Sequence, residues 1–101
     1  MSSTTRLSKQ SILDYLARHK QEFKEKYQVE AIGLFGSYAR GEATEESDID
    51  IFVRMQPDLL EMAGLKLQIE EELSGKVDLV REHKHMKPLL LEMIRREIAY
   101  V

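Results

Sequence analysis

The sequence predicts an α/β domain spanning residues 1–101, on three observations. Apolar residues recur at helical spacing in three stretches, and short runs rich in branched and aromatic residues fall between them. The length, 101 residues, suits one core and leaves little room for a second domain.

The first helix is written by Ile12, Leu13, Leu16, Phe23 and Tyr27, with "KQEFKEK" as its charged outer face and Ser8 or Ser11 as the cap. "VEAIGLF" then reads as a strand ending at Gly36, and "SDIDIFVRM" as a second. The linking "GSYARGEATEES" is too polar and glycine-containing to be core. Leu59, Met62, Leu65, Ile69 and Leu73 form one helical stripe behind Pro57, with Asp58 as N-cap, Glu61 three residues on, and Gly75 as the stop. "KVDLV" is a third strand. Pro88 opens a last helix through "LLLEMIRREI", and "AYV" is either its frayed end or a short edge strand. Met62 and Met93 fall at core positions of their helices.

Charged residues make up 33% and hydrophobic residues 43% of the chain, as in water-soluble folded proteins. The net charge of −3 gives no general footprint for nucleic acid, and no direct nucleic-acid binding is expected. Without cysteine there are no disulfides or thiolate metal sites. No apolar run nears the ~20 residues of a membrane span, and "MSSTTRLSKQ" lacks a signal-peptide core, so a cytoplasmic location without membrane contact is expected.

The informative anomaly is acid inside strands. Alternation puts Ile49, Ile51 and Val53 on one face of the second strand and Asp48, Asp50 and Phe52 on the other. The two carboxylates then lie roughly 6–7 Å apart along the strand and repel each other, so a cation is expected between them. Mg²⁺, held by one or two carboxylates plus substrate phosphates, fits, and paired ions serve polymerase-type chemistry. Asp78 repeats the anomaly between Val77 and Leu79. Each piece alone has an ordinary explanation: a strand acid at a wet edge, Gly-Ser as a turn, Arg40 as a surface residue. Their order is what points to a site: Gly36-Ser37 after a strand, Arg40-Gly41, Ser47-Asp48-Ile49-Asp50 opening the next strand, and Asp78 in a third.

This arrangement resembles the signature of the DNA polymerase β nucleotidyltransferase superfamily, Gly-Ser followed by Asp-x-Asp and a later Asp. The ten residues between Ser37 and Asp48 match the spacing of its minimal nucleotidyltransferase family. The resemblance covers roughly residues 29–81 and implies a small mixed β-sheet flanked by helices, set on one side of it. It implies Asp48, Asp50 and Asp78 as catalytic metal ligands for two Mg²⁺ ions, replaceable by Mn²⁺, with Asp78 helping to deprotonate the acceptor. Gly36, Ser37, Arg40 and Ser47 would bind ATP, whose α-phosphate is attacked with loss of pyrophosphate.

These 101 residues are expected to leave no room for the acceptor-recognition domain of larger relatives, so another protein is expected to supply that half of the site. The resemblance implies a HEPN-family toxin in a heteromeric complex, neutralised by transfer of AMP to its tyrosine. Two other readings stay open: a non-catalytic antitoxin or nucleotide-binding module acting by contact, and a homodimeric enzyme modifying a small molecule. "REHKHMK" is expected to be a solvated loop, with His83 and His85 a weak metal signal, and Glu42, Glu45 and Glu46 to be solvated.

Overall fold

The computed structural model describes residues 7–101. The start of the stretch read above for a signal segment, residues 1–6, lies outside the described residues. Four helices and four strands follow in the order α1 (Lys9–Tyr27), β1 (Ala31–Phe35), α2 (Gly36–Arg40), β2 (Ile49–Arg54), α3 (Leu59–Leu73), β3 (Val77–Arg81), α4 (Pro88–Glu97) and β4 (Ala99–Tyr100).

Ser8 caps α1: its hydroxyl accepts the Ser11 amide, and the Ser11 hydroxyl returns the favour to the Ser8 amide, which satisfies two otherwise orphaned donors. Asp58 caps α3 through the Glu61 amide at 3.0 Å. That helix ends on Ser74 in the left-handed region (φ 54°), not on Gly75, whose bare Cα instead passes the Ile49 side chain closely. Leu59 and Met93 are exposed, against the sequence expectation. Leu59 is the first residue of α3, more than a turn before Leu65, the first fully buried position of that helix.

The sheet order is β3-β2-β1-β4. β1 runs antiparallel to β2 and β4, and β2 runs parallel to β3, with α3 as the connection a parallel pair requires. The sheet is therefore mixed, and "AYV" contributes its edge strand beside β1.

Alternation along the strands divides the apolar residues between two faces. Ile32, Leu34, Ile49, Ile51 and Val53 meet Ile12, Leu16, Phe23, Leu65 and Ile69 in the main core under α1 and α3. Tyr38 and Ala39 join that core, so the linking segment is not wholly polar surface: its first turn is α2 and buries two side chains. Phe35 and Phe52, edge to face at 6.4 Å between ring centroids, point the other way and are covered by Ile94 of α4. Helices thus flank both faces rather than one, because two phenylalanines on the second face need cover. This smaller core makes α4 vulnerable. Ile94→Ala is expected to cost about 2–4 kcal/mol and to raise hydrogen exchange selectively in α4 and β4.

Tyr15, at the α1–α3 contact, donates to Glu72, and burial first, then that bond, pushes its hydroxyl pKa up. Tyr27 also donates to Gln68 at 2.7 Å. Among the described residues no helix is long and apolar enough to cross a membrane.

Candidate active site

The second face of the sheet, which carries Phe35 and Phe52, also carries the acids. Phe35 lies opposite Asp50 across the β1–β2 ladder, and Asp50 pairs in register with Asp78 across the parallel β2–β3 ladder. The parallel register therefore places two carboxylates side by side on adjacent strands, ~4.8 Å apart at the backbone. Asp48 stands just before β2, which begins at Ile49, rather than within it. Asp48 and Asp78 are exposed and Asp50 is half-buried.

Asp50 records the crowding electrostatically. Burial first, then the charges of Asp78, Asp48 and Glu97, push its carboxyl up to about 6, while Arg40 works the other way. Among the described residues, no three Asp, Glu or His side chains converge closely enough to cage an ion unaided. An open half-shell of hard oxygen donors with surplus negative charge still fits Mg²⁺, which keeps several waters and phosphate oxygens in its coordination sphere.

Beside Asp50 the chain leaves β1 through Gly36 at φ +78°. A Cβ at Gly36 would lie 1.9 Å from Asp50 Oδ2, so only glycine lets the backbone pass this close to the carboxylate. The Gly36 amide donates to Glu97 Oε2 at 2.5 Å, and Arg40 Nη1 donates to Glu97 Oε1 at 2.9 Å. Arg40 Nε also donates to Glu42 at 3.0 Å. Gly36, Arg40 and Asp50 are thus brought together, and Ser37 follows Gly36 in α2.

Ser47 is used locally: its hydroxyl accepts the Thr44 amide at 2.9 Å and shapes the loop that delivers Asp48. Glu97 was not singled out by the sequence. One glutamate in "RREI" carries no local signal, and only the docking of α4 against α2 brings it to Gly36. The "REHKHMK" segment has exposed His83, Lys84, His85 and Lys87, with the His85 amide donating to His83 Nδ1 at 3.1 Å.

The family model of the nucleotidyltransferase domain matches residues 16–101. The chain belongs to the nucleotidyltransferase family. Protein adenylyltransferase MntA of Thermococcus cleftensis is 40% identical over 97 residues, covering 94% of this chain and 97% of that protein. A solved structure assigned as a minimal nucleotidyltransferase is 32% identical with a TM-score of 0.74, covering 95% of this chain and 98% of the other. A crystal structure of a toxin–antitoxin with AMP-PNP contains a chain 26% identical, TM-score 0.66, over 93% of this chain and 72% of that one. This nucleotidyltransferase therefore has the minimal polymerase β-like fold, an enzyme fold with a small mixed sheet and flanking helices.

Proposed function

We propose that residues 1–101 form one minimal nucleotidyltransferase domain that transfers AMP from ATP to a tyrosine hydroxyl of a HEPN-family toxin, acting as its antitoxin. The observation that carries this reading is the in-register pair Asp50 and Asp78 with the Gly36 backbone against the Asp50 carboxylate. The name of the Thermococcus relative and the AMP-PNP-bound toxin–antitoxin support protein adenylylation. The HEPN identity of the acceptor and its tyrosine rest on the family resemblance.

Asp48, Asp50 and Asp78 would hold the divalent ions. When bound, Mg²⁺ or Mn²⁺ would supply neutralisation of the phosphate charge and a lowered pKa for the attacking hydroxyl. The rest follows from the chain itself. The Gly36 amide, the Ser37 hydroxyl and the Arg40 guanidinium would receive phosphate oxygens as charge-assisted bonds, with Ser47 holding the loop that presents Asp48. Asp78 is exposed on the edge strand β3, where an acceptor from another protein can approach. The acceptor oxygen bonds to the α-phosphorus, the bond from that phosphorus to the β-bridging oxygen breaks, pyrophosphate leaves, and Asp78 helps to take the hydroxyl proton. Rate acceleration would come mainly from positioning and electrostatics. We place the reaction in the cytoplasm, a reducing compartment compatible with a chain that has no cysteine.

Exposed Leu59 and Leu60 on α3, and Leu89 and Met93 on α4, offer apolar surface for a partner, which also suits neutralisation by contact alone. Labelled ATP and a mutant separate the two. With Mg²⁺ and a HEPN-family toxin that binds the chain, label from α-labelled but not γ-labelled ATP should appear on the toxin; γ-label would make it a phosphotransferase. Coexpressed Asp78→Asn should bind the toxin yet fail to protect growth. Full protection with unmodified toxin by mass spectrometry would favour contact.

A further inference from the structure

Glu97 lies where a phosphate is expected. Its two carboxylate oxygens accept from the Gly36 amide at 2.5 Å and from Arg40 at 2.9 Å, and its side chain is only 14% exposed. It is brought there from the far end of the chain, 61 residues after Gly36, by the last turn of α4. A carboxylate and a phosphate present the same thing to an N–H and a guanidinium: two anionic oxygens on one centre, suited to a forked, charge-assisted contact.

This placement has an electrostatic cost, since Glu97 adds to the negative charge that Asp50 already feels from Asp48 and Asp78. A glutamate that adds to the charge around Asp50 and yet bonds both donors occupies the place an anionic ligand of those donors would take.

We propose that Glu97 is a built-in stand-in for a nucleotide phosphate: it keeps Gly36 and Arg40 in their binding geometry without ligand and competes with the triphosphate for them, so that it sets nucleotide affinity. The inference rests on the reading of Gly36 and Arg40 as phosphate donors. It makes Glu97 a positioning residue rather than a catalytic one. Arg40 keeps Glu42 as a second partner, so only part of its bonding must be exchanged when phosphate arrives.

Binding of inorganic tripolyphosphate to the full chain, by calorimetry in EDTA and in Mg²⁺, tests this without any turnover. Glu97→Gln keeps the size and an acceptor oxygen but loses the charge, and should bind tripolyphosphate on the order of tenfold more tightly in EDTA, the scale of one charge-assisted bond. Unchanged or weaker binding by the folded variant would overturn the competition while leaving the phosphate cradle standing. Should the variant not fold, the wild type alone decides: the Gly36 amide resonance and the Glu97 side-chain carboxyl ¹³C resonance should move together on titration. Movement of Gly36 with Glu97 unmoved would overturn the inference alone. No tripolyphosphate binding by wild type or variant, in EDTA or in Mg²⁺, would remove the cradle reading and the inference with it.

Discussion

Gly36→Ala is expected to abolish nucleotidyl transfer and destabilise the fold at the same time. Two costs add. The residue sits at φ +78°, where an L side chain is strained by about 1–2 kcal/mol, and its new methyl would fall 1.9 Å from Asp50 Oδ2 and 2.8 Å from Asp50 Cγ. The second contact cannot be absorbed in place, so either the Asp50 carboxylate swings away or the chain shifts. A total of about 2–4 kcal/mol is expected from strain plus overpacking. Activity should fall by about a hundredfold or more, because an ångström of displacement in a positioning site costs that much.

Gly41→Ala supplies the control. Gly41 has nearly the same φ, +76°, but nothing lies within 4 Å of its hypothetical Cβ. Thermal unfolding should show it losing about 1 kcal/mol from conformation alone, with transfer nearly intact. If the two variants lost activity equally, the contact between Gly36 and Asp50 would have no special role.

The same pair of residues shows what was readable in the sequence. Gly-Ser and Asp-x-Asp are local patterns, and alternation along one strand was enough to put Asp50 opposite the face of Ile49 and Ile51. The pairing of Asp50 with Asp78 is not local: it depends on β2 and β3 being parallel, which α3 makes possible but no single residue announces. Phe52 was legible as sharing the acid face but not as needing a helix over it, so α4 on the second face was missed. Tyr38 was misread because its neighbours Gly36, Arg40, Gly41 and Glu42 are polar or small, and burial of one aromatic in a five-residue helix leaves no periodicity to detect. Glu97 was illegible for the same reason at longer range: its partners are some 60 residues away in sequence, and only the docking of α4 makes them neighbours.

Asp50→Asn should separate chemistry from stability by moving them in opposite directions. As a proposed metal ligand on the strand between Gly36 and Asp78, Asp50 cannot be replaced by a neutral amide without losing charge where the ions would bind. Transfer should fall by at least about a hundredfold. The fold should respond otherwise, because the ionised Asp50 is an unfavourable group in the metal-free protein: burial and the nearby Asp78, Asp48 and Glu97 charges push its carboxyl from 3.8 up to about 6. A raised carboxyl pKa means the folded chain holds the proton more tightly than the unfolded one. The stability contributed by that proton is fully present below about pH 4 and is lost as pH rises to about 6. The shift corresponds to about 3 kcal/mol at most, reduced to about 1 kcal/mol because the group is partly exposed and screened by water. In EDTA, the wild type should therefore lose roughly that much stability, relative to Asp50→Asn, between pH 4 and pH 6, and the variant should be the more stable protein at pH 7. Urea denaturation of both proteins across that range measures the difference directly. A constant gap between the two curves would mean that Asp50 ionises as readily in the metal-free fold as in the unfolded chain, and the case for a cation among these three carboxylates would lose its electrostatic basis.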